Sequence, residues 1–148
     1  MRWGSALAAL AAAATATSIH AQTSSVRIEG LDSGYGPKST VSAIVQNLSS
    51  KRIEINVAVE DFDTDHWREA LTSVTDPKHP YGKAVKLTAV DKGASIGVSF
   101  VPLERRGGIS PFGDSSLPLS LRLRVDVYPS AGGKLIESVH SSVFKISS

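Results

Sequence analysis

The sequence predicts an all-β protein, a two-sheet antiparallel sandwich of about seven strands filling residues 22–148. Three observations carry that expectation. Apolar residues recur at every second position through most of the chain after Val26, and clusters of Gly, Pro, Asn, Asp and Ser separate the runs. Beyond a possible single turn near Trp67–Leu71, no segment repeats its apolar residues with a helix's period. A chain of 148 residues favours one domain, large enough to bury a core without covalent staples.

The strands follow in order. Val26-Arg27-Ile28-Glu29 opens the series, and Val41, Ala43 and Val45 alternate with Ser42, Ile44 and Gln46. Asn47–Arg52 is a polar turn. The third strand sets Ile53, Ile55, Val57 and Val59 against Glu54, Asn56, Ala58 and Glu60, and its β-branched residues suit a pleated, half-buried surface. Residues 61–83 are less regular: Trp67 is expected on a short edge strand, and Asp76–Gly82 is a loop by composition. Alternation resumes at Val85, Leu87 and Ala89, turns at Asp91-Lys92-Gly93, and continues through Ile96, Val98 and Phe100. Glu104–Ser116, with three glycines and a proline, is a loop. Leu119, Leu121, Leu123, Val125 and Val127 point inward against Ser120, Arg122, Arg124, Asp126 and Tyr128. After a turn at Pro129–Gly133, Leu135–Ile146 closes the sheet. A small closed barrel is the structural rival.

Ahead of the domain, Arg2 precedes the apolar run Ala6–Ala14; small and polar residues follow, and then Ile19-His20-Ala21, read as a cleavage site with Ala at its last position. Residues 1–21 are read as a signal peptide and 22–148 as the exported domain, periplasmic or secreted. The run is too short for a membrane span of about 20 residues, and no later segment reads as one. Of 16 Lys and Arg against 14 Asp and Glu, only Arg2 lies in the leader, so the mature balance is 15 against 14. That near-neutrality argues against nucleic acid as a partner. With no cysteine there are no disulfides, thiol nucleophiles or lipidated cysteine.

Three segments resemble the strand-and-turn pattern of bacterial immunoglobulin-like domains. Val45-Gln46-Asn47-Leu48-Ser49-Ser50-Lys51-Arg52-Ile53 is similar to their polar turn between the second and third strands. Leu87–Phe100, with Asp91-Lys92-Gly93-Ala94-Ser95, is similar to a later hairpin, and Leu121–Tyr128 with Ser141–Ile146 to the closing pair. The resemblance implies an immunoglobulin-like sandwich and a role as an adhesive, carrier, chaperone-like or inhibitory module. The chain departs from antibody-type domains in lacking the cysteine pair and core tryptophan, and Glu104–Ser116 is longer than the expected connection.

Catalytic chemistry finds little support. Asp61, Asp63 and Asp65 imitate the start of a calcium loop, but His66 stands where glycine is needed and Thr72 where a bidentate glutamate is needed. His66 and His79 lack the spacing of a zinc pair. Gly113-Asp114-Ser115 is no nucleophile elbow, because neither Gly-x-Ser-x-Gly nor α/β alternation surrounds it. No catalytic residue, metal or cofactor is assigned. Asn47-Leu48-Ser49 fits a glycosylation acceptor and equally a turn.

Binding residues are sought among loop aromatics and arginines: Trp67, Tyr81, Arg105, Arg106 and Phe112, with Arg122 and Arg124 sharing one outward face. The aromatics serve equally well as plugs at the sandwich ends. The expected function is a non-catalytic module that binds an unidentified protein partner; the alternative is an enzyme inhibitor or small hydrolase using the 104–116 loop. The N-terminal reading is checked by intact mass: the exported protein should begin within a few residues of Gln22.

Overall fold

The computed structural model describes residues 23–76, 85–104, 112 and 117–148; the other residues lie outside this description. The described residues form ten strands and no helix: β1 Val26–Glu29, β2 Gly34–Tyr35, β3 Val41–Asn47, β4 Ile53–Asp63, β5 His66–Leu71, β6 Thr88–Val90, β7 Ser95–Phe100, β8 Leu119–Tyr128, β9 Glu137–His140 and β10 Phe144–Ile146. One sheet has the order β1-β3-β7. The other runs β2-β10-β8-β4-β5, with β6 also on β4 and β9 also on β8.

This is the immunoglobulin-like two-sheet sandwich. Strands β1, β3 and β7 make one sheet, while β4, β8 and β10 lie at the centre of the other. Every pairing is antiparallel except that of the two-residue β2, which runs parallel along β10.

The core is what the alternation demanded. Val41, Ala43, Val45, Val98 and Phe100 of the smaller sheet face Ile53, Ile55, Val57, Val59 and the five inward residues Leu119–Val127 of the larger one. Phe144 and Ile146 extend that surface, and Tyr35 meets Phe144 edge-on at 5.6 Å.

Asn47 ties the sheets at one end. It is fully buried, its Nδ2 donates to the carbonyls of Lys51, Val90 and Asp91 at 2.8, 3.0 and 3.2 Å, and its Oδ1 accepts from Ser49 N and Oγ. Its backbone bonds Ala94 O and Gly93 N, and Gly93 turns there with φ +72°. A side chain so enclosed is a turn residue, with no amide nitrogen free to carry a glycan.

Four expectations need correction. The irregular stretch after Asp61 is a hairpin: β4 runs on to Asp63, Thr64 adopts φ 58°, and β5 returns. The turn has no glycine to announce it. Val85 and Leu87 precede the short β6 and are not strand residues. The closing segment is two strands, because Ser141 breaks it: its Oγ accepts from Leu123 N at 2.9 Å, replacing a rung of the ladder. Between His140↔Arg124 and Phe144↔Leu121 the register slips by one residue, which returns Phe144 to the core. Finally, the outward residues Asn56, Ala58 and Glu60 are buried, so β4 is covered on both faces.

Leu123 lies wholly inside the core, on β8. Leu123→Ala should cost about 2–5 kcal/mol in chemical denaturation, and Leu123→Asp should abolish the cooperative transition, since a buried unpaired charge consumes most of a stability of about 5–15 kcal/mol.

Candidate functional site

The outer face of the larger sheet is built around Glu60. Residues directly opposite one another share a face, and the β4–β8 register sets Glu60 against Arg122, Ala58 against Arg124 and Asn56 against Asp126. On the flanks Glu69 of β5 lies opposite Glu60, while His140 and Ser138 of β9 lie opposite Arg124 and Asp126. Ala58 leaves room for the long arginine side chains to lie across the sheet.

The resulting ion pairs are short. Glu60 accepts from Arg122 Nε at 2.7 Å and Arg124 Nη1 at 3.1 Å, with His140 Nε2 at 3.4 Å. Arg124 also donates to Glu69 Oε1 at 2.7 Å and, through Nε, to Asp126 Oδ1 at 3.0 Å; Ser138 Oγ donates to the same Asp126 oxygen. Burial pushes the Glu60 carboxyl up, but the hydrogen bonds and charges of Arg122 and Arg124 outweigh it and hold the group below its ordinary value of 4.5. Burial acts to lower the Arg124 value, and Asp126, Glu69 and Glu60 raise it above the ordinary arginine range.

Beside this network the hairpin presents its aromatic pair. Phe62 and Trp67 lie opposite each other, with ring centroids 5.3 Å apart and planes at 60°. The Arg122 guanidinium sits 4.3 Å from the Trp67 centroid, a cation–π contact that joins the aromatic pair to the ion pairs. Trp67 is half-buried and Phe62 is 45% exposed. On the hairpin's inner side Arg68 grips the buried Asp61 with two bonds, Nε to Oδ1 at 2.8 Å and Nη2 to Oδ2 at 2.9 Å. The Asp61 contact raises the Arg68 pKa.

Of the residues singled out from sequence, Trp67 belongs to this surface rather than to an end of the sandwich. Phe112 is 1% exposed and part of the core cluster, so its ring plugs the sandwich and offers no contact surface. Tyr81, Arg105 and Arg106 lie outside the described residues, as do His79, Asp114 and Ser115. Arg122 and Arg124 share a face, but both are engaged by carboxylates. The three aspartates diverge: Asp61 is buried on Arg68, Asp63 lies 3.6 Å from the same guanidinium, and Asp65 bonds His66 at the exposed tip. Among the described residues no three His, Asp or Glu side chains gather as metal ligands, and no helix is long and apolar enough to cross a membrane. An open cleft of about 970 Å³ lies beside Glu54, Asp76, Lys86 and Gly132.

No family model matches the chain, and no curated protein matches it. Among solved structures it is similar to the ASH/PapD-like domain 7 of human CEP192, at 10% identity and TM-score 0.38 over 84% of this chain and 87% of that one. It is similar also to the Pseudomonas fluorescens alkylpurine DNA glycosylase AlkC bound to DNA containing an abasic-site analogue (12% identity, TM-score 0.38, 84% of this chain and 31% of that one). A third is the Listeria innocua β-glucosidase in complex with glucose (13%, 0.36, 83% and 16%). The chain spans less than a third of either enzyme, and likenesses this distant bring no activity with them.

The network makes Arg122→Glu, which an outward position alone would tolerate, a damaging change. It sets two carboxylates opposite each other and removes the cation from Trp67, at a cost of about 1–3 kcal/mol in denaturation. Because Glu60 is held below its unfolded value, its stabilisation is present above that value and lost as pH falls through the lowered one. Glu60→Gln should therefore lower stability at neutral pH and flatten its decline as pH falls below the ordinary Glu value of 4.5.

Proposed function

We propose that this chain is an exported, non-catalytic immunoglobulin-like module that acts through protein–protein contacts, with the β4–β5 hairpin as its contact surface. The observation that carries the reading is the exposed Phe62 ring set against Trp67 and Arg122. Aromatic and arginine side chains dominate binding energy when a partner shields them from water. Here the hairpin ladder and the Asp61–Arg68 bonds hold them in place beforehand, so little ordering entropy is lost on association.

The charges around that surface support a protein partner rather than a polyanion. Arg122 and Arg124 are matched by Glu60, Glu69 and Asp126, so the face presents no positive field to phosphates. The leader-like run Ala6–Ala14 supports a partner met outside the cytoplasm. No cofactor enters the proposal.

Affinity capture from the exported fraction with the natural protein and with Phe62→Ser tests it. The variant loses the cross-strand contact with Trp67, about 0.5–1.5 kcal/mol, so capture is compared at a temperature where both proteins are folded; it should lose its partner by tenfold or more. Equal capture by both proteins would remove the hairpin from the interface.

A further inference from the structure

A strand at the end of a sheet carries unpaired N–H and C=O groups and invites another strand, so proteins shorten, charge or kink such edges. Most edges here are treated that way. β2 has two residues and β6 three. β1 has four and carries the Arg27–Glu29 ion pair, and β9 has four with Glu137 and His140. β5 has His66, Arg68 and Glu69, and its register shifts at Val59/Glu60.

β7 is the exception. Ser95-Ile96-Gly97-Val98-Ser99-Phe100 has no charge and no proline, and it pairs with β3 over all six residues without a shift. Among the described residues no strand pairs with its other side. Ser95, Gly97 and Ser99 line its outer face, and Ile44, 47% exposed, stands beside Gly97 on β3. A Cβ at Gly97 would meet nothing within 4 Å, and its φ is not in the left-handed region. Neither packing nor conformation within the described chain calls for glycine there, and the outer surface of the strand beside Ile44 stays open.

We infer that β7 pairs antiparallel with β7 of a second copy of this chain, about a two-fold axis at Gly97. In that register Ile96 faces Val98 of the second copy, Ser95 faces its Ser99, and the two glycines meet. β-branched residues thus oppose each other and hydroxyls oppose hydroxyls, the kinds of cross-strand pair that stabilise a sheet. An isologous contact sets residue i against j and j against i, so an edge whose charges share one sign would repel itself; β7 carries no charge. The pairing joins two three-stranded sheets into one of six strands. A six-residue edge buries less than the roughly 1,200 Å² of a standard interface, so the dimer is reversible and concentration-dependent. It uses a different sheet from the Phe62–Trp67 surface and stands independently of the partner proposed for that surface.

Sedimentation equilibrium of the purified protein from about 1 µM to about 1 mM tests this. We expect a monomer–dimer equilibrium within that range. The double variant Ser95→Lys with Ser99→Lys sets like charges face to face at both symmetric positions and should weaken the dimer by about tenfold. Ser95→Lys with Ser99→Glu sets opposite charges there and should dimerise at least as well as the parent. Melting temperatures at low micromolar concentration should stay the same, since both serines are exposed. A protein that stays monomeric to the top of the range overturns the inference, as does a dimer indifferent to the lysine pair or lost equally in both variants.

Discussion

The structure depends on one constraint, that β4 is covered on both faces. It lies between β8 on one side and β5 and β6 on the other, and neither Ala58 nor Val57 has any exposed surface. One face of the strand can be satisfied by hydrocarbon, and it is, by Val57 and Val59 against the smaller sheet. The other carries Glu60 and Asn56, whose polar atoms need partners once water is removed. The β4–β8 register supplies those of Glu60, in Arg122 and Arg124, and the chain after β5 supplies those of Asn56, in Thr72 O and Thr75 Oγ1. That register is eight residues long, and a slip of one would turn Arg122 and Arg124 into the core and strand Glu60 beneath the sheet.

An ion network of this kind is a weak source of net stability. Its attraction is offset by the desolvation of each group, and apolar replacements of the same shape are often at least as stable. What it supplies here is position. Arg124 spans from Glu69 on β5 to Asp126 on its own strand, so three carboxylates fix one guanidinium. Arg122, held by Glu60, is placed over Trp67. The charges are thereby spent on one another. What remains open to a partner is the aromatic pair at the hairpin, with Phe62 outermost.

The limits of sequence reading follow from the range of each interaction. Inward residues of β3, β4, β7 and β8 were legible because period two is a local property, and Val41–Val45, Ile53–Val59 and Leu119–Val127 show it without interruption. The hairpin was partly legible. Phe62 and Trp67, and Asp61 and Arg68, are equidistant from Thr64-Asp65, so a turn placed there would have paired both; Thr64 hid it by taking a left-handed conformation usually marked by glycine. Glu60↔Arg122 was not legible. It joins strands 62 residues apart and requires both strand order and register. Phe112 misled for a related reason: a Pro-Phe-Gly loop looks exposed, and only the third dimension shows the ring inside the core.

The two sheets divide the remaining work between them. In the larger sheet the outer face is crowded with long charged side chains, and its edge at β5 is charged and irregular, so a partner must approach it through side chains. In the smaller sheet the outer face at β7 carries only serines and a glycine, and a partner can approach through backbone. Side-chain recognition selects a partner by shape and charge, whereas backbone pairing selects by register and the absence of repulsion. Phe62 stands on the outer face of the larger sheet and β7 at the edge of the smaller one, so the two modes fall on different sheets.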